Sequence, residues 1–474
     1  MGKVWKLTEV SEHNTQDSCW MVLHEKVYDI TSFVPKHPGG RSILLKNAGR
    51  DASKAFDSVH PVEILEEYLT PDQVLGTIDP RDVIKDVKIR ESGNPSSLEP
   101  EPVPPSTLPP LESMLSIPEI EKHALQQLSP KAISYYVSAT DDQITKAANG
   151  EIYWSILLRP RVFIDCTECS LQTSILGNQV GLPIFVSPAA MARLAHPSGE
   201  AGIARACSSF RTLQIISKNA SLSPATIVRA GPSAIFAWQL YVLKDISATE
   251  RTLAQIRQIP QIKFIVLTLD APFPGKREAD ERFKMGEAAP QAWGTEAGLT
   301  WRKTLEWLGR HTSLPIVLKG VQTHEDAYAA TMFPAVKGII LSNHGGRALD
   351  TAPTPIQVLL EIRKFCPEVL DKLDVLVDGG VRRGTDVVKA LALGAKGVGI
   401  GRAVLYGLSV GGEEGVKRVL KILADETETA MRLLGVKTVS ELGSRHVNTS
   451  VLASQLFDGP SGLEDIEGQL RPKL

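Results

Sequence analysis

The sequence lacks long runs of any single character, and each absence excludes a class of protein. The net charge of this 474-residue chain is −2 at pH 7, without a long run of one sign, which argues against a protein that binds nucleic acid or an anionic membrane. No stretch approaches about 18 uninterrupted apolar residues, so we predict that no segment spans a membrane. The five cysteines lack the spacing of a disulfide framework, which favours a reducing compartment.

The first residues also lack the apolar core of a signal peptide, and they include acidic residues that transit peptides avoid. We therefore expect a soluble, cytoplasmic protein. If a presequence had been removed from the chain, the expected compartment would be the mitochondrial intermembrane space.

Proline is concentrated in one place, and this concentration predicts the domain organisation. Seven prolines lie between residues 94 and 110, in a stretch with few apolar side chains: Pro95, Pro100, Pro102, Pro104, Pro105, Pro109 and Pro110. Such a composition is typical of a semi-extended linker. The length of the chain also exceeds the roughly 250–300 residues at which one core usually splits into two. We predict an N-terminal domain at 1–80, a linker at 81–110 and a second domain at 111–474.

The second domain contains eight short apolar runs, separated by segments long enough to form helices. The runs occupy residues 182–189, 213–217, 234–241, 264–270, 315–320, 338–344, 374–380 and 397–402. Strands that are buried on both faces and joined by helical crossovers are typical of a parallel sheet. Eight such strands predict an α/β fold, a (β/α)8 TIM barrel, preceded by a small α+β domain. An open doubly wound sheet is the alternative, but the sequence lacks the G-x-G-x-x-G that it would need.

Polar and ionisable residues end these runs, and in a barrel the carboxyl ends of the strands form the active-site face. Contact with solvent explains some of these polar residues. It does not explain why Asp270, Lys319, His344 and Asp378 recur after fully apolar strands. A base such as His344 beside a cation such as Arg347 suits a carboxylate substrate whose neighbouring carbon is oxidised.

Three further features bear on this site. Asp270 would orient the imidazole of His344. Lys319 is a buried cation that needs an anionic partner, such as a reduced flavin. Glycine-rich turns after the last two strands, each with an arginine, indicate a phosphate site for a mononucleotide.

The N-terminal domain contains a pair of histidines, His37 and His60, in FVPKHPGGRSILLKNAGRDASKAFDSVHP. Two neutral imidazoles can bind a haem iron from opposite faces. Residues 7–76 resemble the cytochrome b5 family, and the resemblance implies a six-coordinate haem b with His37 and His60 as the iron ligands.

Residues 111–447 resemble the FMN-dependent 2-hydroxy acid dehydrogenases and oxidases, most specifically in SNHGGR, LVDGGVRRGTDVVKALALGA and VGIGR. The order of the two domains is similar to the flavocytochrome b2 family, whose members oxidise L-lactate and reduce cytochrome c. The resemblance implies that His344 is the base and Asp270 its partner. It implies that Arg347, Arg277, Tyr135 and Tyr241 contact the substrate. It also implies an FMN site formed by Pro188, Ala189, Ala190, Ser217, Gln239, Thr268, Lys319, Asp378, Gly379, Gly380, Val381, Arg382, Gly401 and Arg402.

The resemblance therefore predicts an enzyme that oxidises a small L-2-hydroxy acid and passes electrons through FMN and haem to a protein such as cytochrome c. We also expect a homotetramer. The alternatives are an oxidase that uses oxygen and a haem-binding electron carrier with an inactive barrel. The sequence does not choose between a hydride and a carbanion mechanism.

Two positions depart from the family or extend the hypothesis. Asn219 occupies a pocket position where lactate enzymes have an apolar residue, so the identity of the acid is open; the side chain could also face away from the pocket. Lys284 lies at a family position that approaches the haem edge.

Two other features could suggest a metal or redox site, and we interpret both as structural. Cys166 and Cys169 form a C-x-x-C without further zinc ligands, and we interpret both as packing residues. His196 is interpreted as a structural loop residue.

Overall fold

The computed structural model describes residues 3–37, 40–79, 108–273, 275–282 and 295–470. These residues divide into two compact units. The first contains residues 3–79, together with 280–282, and the second contains the rest of the described chain from 108 to 470. Most of the predicted linker and Lys284 lie outside the described residues.

The first unit is a five-stranded mixed sheet with short helices. Its strands are β1 (Lys3–Trp5), β2 (Asn14–Thr15), β3 (Ser18–Leu23), β4 (Lys26–Asp29) and β5 (Val74–Ile78), in the order β1-β5-β4-β3-β2. The helices are α1 (Leu7–Ser11), α2 (Arg41–Asn47), α3 (Ser53–Asp57) and α4 (Ile64–Tyr68). Alternation along β3 sends Met21 and Val22 to opposite faces, and each face has its own apolar cluster. The α+β prediction for this region is confirmed.

The second unit contains a closed barrel of eight parallel strands in sequential order. The strands are β9 (Ile184–Val186), β10 (Leu213–Ile216), β11 (Ile235–Leu240), β12 (Ile262–Thr268), β13 (Ile316–Val321), β14 (Val336–Leu341), β15 (Asp374–Asp378) and β16 (Gly397–Ile400). Each strand overlaps one of the eight apolar runs of the sequence, although β12 and β14 begin two residues before their runs and β13 ends one residue after its run. The prediction of a TIM barrel is confirmed.

Helices cover the outside of the barrel and form the segment that precedes it. The preceding segment contains α5 (Ile117–Gln127), α6 (Pro130–Val137) and α7 (Ile144–Glu151). The later helices are α8 (Gly199–Ser209), α9 (Pro224–Ala230), α10 (Ile246–Ile256), α12 (Trp301–His311), α13 (His324–Ala330), α14 (Pro355–Phe365), α15 (Val369–Lys372), α16 (Gly384–Ala392), α17 (Arg402–Leu433) and α18 (Leu463–Leu470). The short helix α11 (Glu278–Arg282) contains residues of both units. Several begin at a Ser or Thr cap followed by proline, as at Ser129, Ser223 and Thr354, which fixes where the crossover turns into helix.

Side chains fill the barrel interior, so the barrel is a packed core. Phe185 points inward, whereas its neighbours Ile184 and Val186 join the larger cluster between the strands and the helices. A hairpin of β7 (Thr173–Ile175) and β8 (Asn178–Val180) adds Ile175 and Val180 to the interior cluster. The hairpin covers the amino-terminal end of the barrel, which leaves the carboxyl ends of the strands for the site. Two short strands, β6 (Leu157–Leu158) and β17 (Val447–Asn448), pair antiparallel.

Candidate active site at the strand ends

The carboxyl ends of the barrel strands bring the predicted base and its partner together. The imidazole Nδ1 of His344 lies 2.9 Å from Oδ1 of Asp270. The Asp270 side chain is fully buried, whereas about a quarter of His344 is exposed. A carboxylate bonded to Nδ1 selects the tautomer with the proton on Nδ1, which leaves the lone pair on Nε2. The pair can therefore act as a base with a defined acceptor atom.

Asp270 is charged despite its burial. Burial raises the pKa of this carboxyl. The positive charges of His344 and Lys319 lower the pKa by more than burial raises it, so it lies below its ordinary value of 3.8. Oδ2 of Asp270 is buried and has no hydrogen-bond partner within the described part of the chain. The backbone of Gly320 makes room for the group, because a Cβ at this position would lie 2.5 Å from Cγ of Asp270.

The loop after β14 holds three consecutive residues in the left-handed region: His344, Gly345 and Gly346, with φ values of 59°, 66° and 79°. Glycine adopts this conformation freely, whereas a histidine is strained by about 1–2 kcal/mol. The two glycines of SNHGGR suggest a loop loosened by glycine. The structure shows the opposite, because neighbouring groups bond the loop from several sides.

Two guanidinium groups flank the ring of Tyr135. The Cζ atoms of Arg277 and Arg347 lie 5.4 and 5.2 Å from the ring centroid. Nη1 of Arg347 donates to the carbonyls of Tyr135 at 2.7 Å and Tyr136 at 3.3 Å, and Nη1 of Arg277 donates to Tyr135 at 3.4 Å. Two cations this close to one aromatic ring, beside the His344 loop, form an anchor that suits a carboxylate.

Tyr241 keeps its proton at neutral pH. Burial, followed by the negative charge of Asp270 and by Tyr135, raises the pKa of the phenol far above its ordinary value. Its oxygen accepts a hydrogen bond from Nε2 of Gln239 at 3.2 Å. The phenolic hydrogen is then available to donate to a bound molecule.

The residues predicted to contact the flavin ring lie at four neighbouring strand ends, where they form two groups of buried hydrogen bonds. Ser217 donates to Oε1 of Gln239 at 3.1 Å, and Nε2 of Gln239 donates to Thr268 at 3.1 Å. Nζ of Lys319 donates to Ser342 at 2.7 Å. Because each of these side chains is nearly fully buried, the two groups have fixed donors and acceptors of the kind that a planar heterocycle requires.

The structure gives Lys319 an anionic partner that the sequence analysis did not identify. Nζ of Lys319 lies 3.4 Å from Oδ2 of Asp378, and both side chains are at most 7% exposed. Ser187 donates to the same oxygen at 2.9 Å. The burial of Lys319 therefore does not require the flavin, although the ammonium group remains positioned at the site.

The phosphate end of the predicted site contains Arg402, whose guanidinium is buried without a bonded carboxylate among the described residues. It donates to the carbonyls of Tyr136 at 3.1 Å and Gly345 at 2.7 Å. Burial lowers its pKa, and the charge of Arg382 lowers it further. A Cβ at Gly401 would meet no atom within 4 Å, so the space beside it can take a ligand. Two converging cations and this space fit a phosphate group.

Two residues at this end, Gly380 and Arg382, have contacts within the protein that the predicted phosphate site did not include. Gly380 has φ +76°, but a Cβ here would lie 2.0 Å from the carbonyl oxygen of Asn149, so the glycine is required by the packing of the chain itself. Arg382 forms an ion pair with Glu121 of α5, and no sequence pattern indicates this partner. Gly379 and Val381 lie in the same turn, and Pro188, Ala189 and Ala190 follow β9, all partly or fully buried.

Asn219 lies on the loop after β10. Its carbonyl accepts from the N–H of Met191 at 3.0 Å, and its N–H donates to Ser217 at 3.2 Å. These two bonds use only main-chain atoms of Asn219. The main chain at Asn219 therefore ties the loop after β9 to the loop after β10 at the rim.

In the first unit, His37 and His60 face each other. Their ring centroids are 6.1 Å apart, and the ring planes are inclined by 76°. Two opposed metal–nitrogen bonds of about 2 Å each would place the centroids at about this separation. Nδ1 of His37 lies 2.9 Å from the carbonyl oxygen of Gly40, a bond of the kind that orients a metal-binding imidazole. Phe33 and Phe56 pack beside the two rings, which supplies the apolar surroundings that a haem needs.

Two structural interpretations from the sequence can be compared with the coordinates. His196 is bonded to Ser198 at 2.8 Å within its loop, as interpreted. Cys169 packs against the main core, but Cys166 is exposed, so the packing interpretation was wrong for Cys166.

Within the described residues, no helix is both long enough and apolar enough to cross a membrane.

Comparisons with known proteins agree with both halves of this geometry. Residues 124–449 match the FMN-dependent dehydrogenase family, and residues 6–79 match the cytochrome b5-like haem/steroid binding domain. The chain is 37% identical to the L-lactate dehydrogenase (cytochrome) of Saccharomyces cerevisiae, over 96% of this chain and 81% of that protein. It is 39% identical to the glycolate oxidase of Spinacia oleracea, over 73% of this chain and 97% of that protein.

A solved structure of a flavocytochrome b2 mutant with pyruvate bound is similar at 39% identity, with a TM-score of 0.70. The similarity covers 78% of this chain and 95% of that chain. The predicted resemblance to flavocytochrome b2 is confirmed, as are the predicted cofactors, FMN and haem b. The chain belongs to the FMN-dependent dehydrogenase family and carries an N-terminal cytochrome b5-like haem domain.

Proposed function

We propose that this enzyme oxidises an L-2-hydroxy acid, L-lactate or a related acid, to the 2-keto acid. Electrons then pass through haem b to a one-electron acceptor such as cytochrome c. The observation that carries the proposal is the buried Asp270–His344 pair beside the two guanidinium groups around Tyr135. The similarity to an L-lactate dehydrogenase (cytochrome) along nearly the whole chain supports the same acceptor chemistry.

The residues divide the work as follows. Arg347 and Arg277 hold the substrate carboxylate, and the planar fork of a guanidinium fixes the orientation of the acid. Nε2 of His344 takes a proton from the substrate, and Asp270 stabilises the imidazolium that forms. Tyr241 donates its phenolic hydrogen to the bound acid. FMN supplies the two-electron acceptor when bound.

Positioning of FMN is assigned to two groups of residues. Ser217, Gln239, Thr268 and Lys319 are the polar groups for the ring. Arg402, Arg382, Gly401 and the turn at 378–381 would hold the phosphate. In the first unit, His37 and His60 would hold the haem iron, which relays single electrons.

The test is His344→Gln, assayed by stopped-flow reduction of the flavin under excess L-lactate. We expect the rate to fall by about two to four orders of magnitude while the FMN absorbance is retained, because the base is lost and the contacts to the cofactor are not. Arg347→Lys should chiefly raise KM, since a point charge cannot replace the fork. Flavin reduction by His344→Gln at near the wild-type rate would exclude the proposed mechanism.

The same instrument distinguishes a dehydrogenase from an oxidase. In anaerobic solution, haem reduction should follow flavin reduction and precede reduction of added cytochrome c. Haem that stays oxidised during rapid, oxygen-dependent turnover would favour an oxidase instead.

We also propose that copies of the chain associate, as a homotetramer. Support comes from apolar side chains exposed near one another on the barrel unit: Trp154, Leu157, Val162, Phe163 and Leu433. The N–H of Arg161 bonds the carbonyl of Leu433, which brings the two segments together. A soluble monomer rarely exposes such a patch.

Light scattering should give the mass of four copies of the chain. The double substitution of Val162 and Phe163 by serine should reduce the number of copies. A monomeric wild-type chain would exclude the proposal.

The proposed compartment is the cytoplasm, or the mitochondrial intermembrane space if a presequence was removed. All five cysteines are free, which suits a reducing compartment. Fractionation of cells that produce the full chain, followed by immunodetection, would test this.

A further inference from the structure

A buried pair of amides joins the segment before the barrel to the catalytic loop. Nδ2 of Asn149 donates to Oδ1 of Asn343 at 2.7 Å, and Nδ2 of Asn343 donates to Oδ1 of Asn149 at 2.8 Å. The two side chains are 1% and 0% exposed. Each amide therefore satisfies the other, and losing either would leave a buried polar group unpaired.

Asn343 in turn holds the loop that carries the base. Its Oδ1 also accepts from the N–H of Gly346 at 3.1 Å, and its Nδ2 also donates to the carbonyl of Pro353 at 3.1 Å. The Asn343 side chain therefore bonds the loop at the end of its left-handed segment, residues 344–346, and again at Pro353. Because His344 is strained in that conformation, the loop needs such bonds to stay in it.

The helix that carries Asn149 is itself fixed to the same loop. The carboxylate of Asp350 accepts from the N–H groups of Ile144 and Thr145, at the start of α7. On the other side, a Cβ at Gly346 would lie 2.7 Å from the backbone nitrogen of Lys146, so helix and loop are in direct contact. A displacement of Asn149 would therefore also displace the loop, because α7 and the loop are in direct contact.

Arg347 is anchored separately. It bonds the carbonyls of Tyr135 and Tyr136 on α6 and does not depend on the amide pair. The guanidinium of Arg347 thus has its own bonds outside the amide pair, and Arg402 links the Tyr136 carbonyl to that of Gly345.

From this arrangement we infer that Asn149 is a positioning residue for the base: through Asn343 it fixes the left-handed conformation that aims the imidazole of His344 into the site. The inference rests on the proposed function, because it takes His344 to be the base.

The decisive substitution is Asn149→Asp, because its carboxyl group changes its hydrogen-bonding ability with pH. The protonated acid both donates and accepts, so it can pair with Asn343 as the amide does. The ionised form only accepts, so Oδ1 of Asn343 loses the donor from residue 149 and keeps only the N–H of Gly346. Burial raises the pKa of a carboxyl group, which brings this change into the range where the enzyme can be assayed.

The experiment uses the full chain with FMN and haem, and measures flavin reduction by L-lactate between pH 5 and pH 9. The wild-type rate should rise with pH, because a general base works in its unprotonated form. The Asn149→Asp rate should lie near the wild-type rate at the acid end and fall about tenfold or more below it at the alkaline end. A variant whose pH profile has the wild-type shape would overturn the inference.

Asn178→Asp is the matched control. The Asn178 side chain donates to the carbonyls of Ile175 and Leu176 in the hairpin at the opposite end of the barrel. The same chemical change there should lower Tm and leave the pH profile of the wild type. A profile altered equally in both variants would mean that general destabilisation is the cause.

If Asn149→Asp does not fold, Asn149→Ser at one pH replaces it. We expect kcat to fall about tenfold while KM changes by less than about threefold, because Arg347 keeps its own anchors. A raised KM with an unchanged kcat would overturn the inference. His344→Gln separates the two hypotheses: if it remains active, the proposed function fails, whereas if it is inactive and both Asn149 variants behave as wild type, only the positioning role fails.

Discussion

Replacing Asp270 by asparagine tests how much the buried carboxylate contributes to catalysis. The bond from Nδ1 of His344 to Oδ1 is 2.9 Å long, and the carboxylate is fully buried. No described donor faces Oδ2, so the amide nitrogen of an asparagine can occupy that position while its oxygen keeps the bond to His344. The substitution then removes the charge and retains the tautomer.

The expected loss follows from the removed charge. A hydrogen bond to a charged group contributes about 1.5–3 kcal/mol, which corresponds to about one to two orders of magnitude in rate. If the amide turned its N–H groups toward Nδ1, the proton would move to Nε2 and the base would be lost, with a fall of about 10⁴-fold. The unpartnered Oδ2 favours the smaller loss.

The assay is single-turnover flavin reduction by L-lactate, with retained FMN checked by absorbance. Asp374→Asn serves as the control, because this carboxylate bonds the N–H of Leu176 at the other end of the barrel. The control should reduce flavin at the wild-type rate. An Asp270→Asn rate within about twofold of the wild-type rate would refute the role given to the carboxylate. Even the lower value of about 1.5 kcal/mol predicts a loss of about tenfold.

The same variant has a predicted pH signature in stability. The pKa of Asp270 in the folded chain is below its ordinary value of 3.8, so its ionisation stabilises the fold above about that pH and the contribution is lost as pH falls through the folded value. The difference in Tm between wild type and Asp270→Asn should therefore be largest near pH 7 and should narrow below about pH 4. A difference that stays constant across this range would contradict the shifted pKa.

The remaining predictions concern the haem and the acid. His37→Ala or His60→Ala should abolish the low-spin absorbance bands of six-coordinate haem and leave flavin reduction by substrate intact; a variant that kept the full spectrum would contradict the ligand assignment. Asn219→Leu should shift the ratio of kcat/KM toward L-lactate and away from a 2-hydroxy acid with a polar side chain, because a buried amide without a partner costs about 1–3 kcal/mol. An unchanged ratio would mean that Asn219 does not line the pocket.

The barrel and most of its rim could be predicted because a strand that is buried on both faces is a continuous apolar run in the sequence. Each strand is a short apolar run, as in IVL directly before Lys319 and IIL shortly before His344, and the parallel topology then sends every strand end to one face. The His344–Asp270 bond follows from this topology once the strands are placed, and the structure brings the two groups to bonding distance.

The contacts that could not be predicted from the sequence are those in which one partner lies in the segment before the barrel and the other follows a barrel strand. Arg382 pairs with Glu121 across 261 residues, and Asn149 pairs with Asn343 across 194. Neither Glu121 nor Asn149 ends an apolar strand, and a carboxylate or an amide on a helix is more often solvated than buried. The identity of such a partner depends on how α5 and α7 pack on the barrel, which the local pattern does not determine.

The glycines of SNHGGR show why the meaning of a residue depends on its partners. In the sequence, two consecutive glycines indicate backbone conformational freedom, which suggests a flexible loop. In the fold, they permit the left-handed turn, while Asn343, Arg402 and the N–H of Thr140 bond the loop in place. His344 alone carries the strain of that turn with a side chain. Because histidine adopts the left-handed region more readily than glutamine, the lost rate of His344→Gln measures the base itself only if the variant keeps the wild-type Tm and FMN absorbance, which show that the loop is retained.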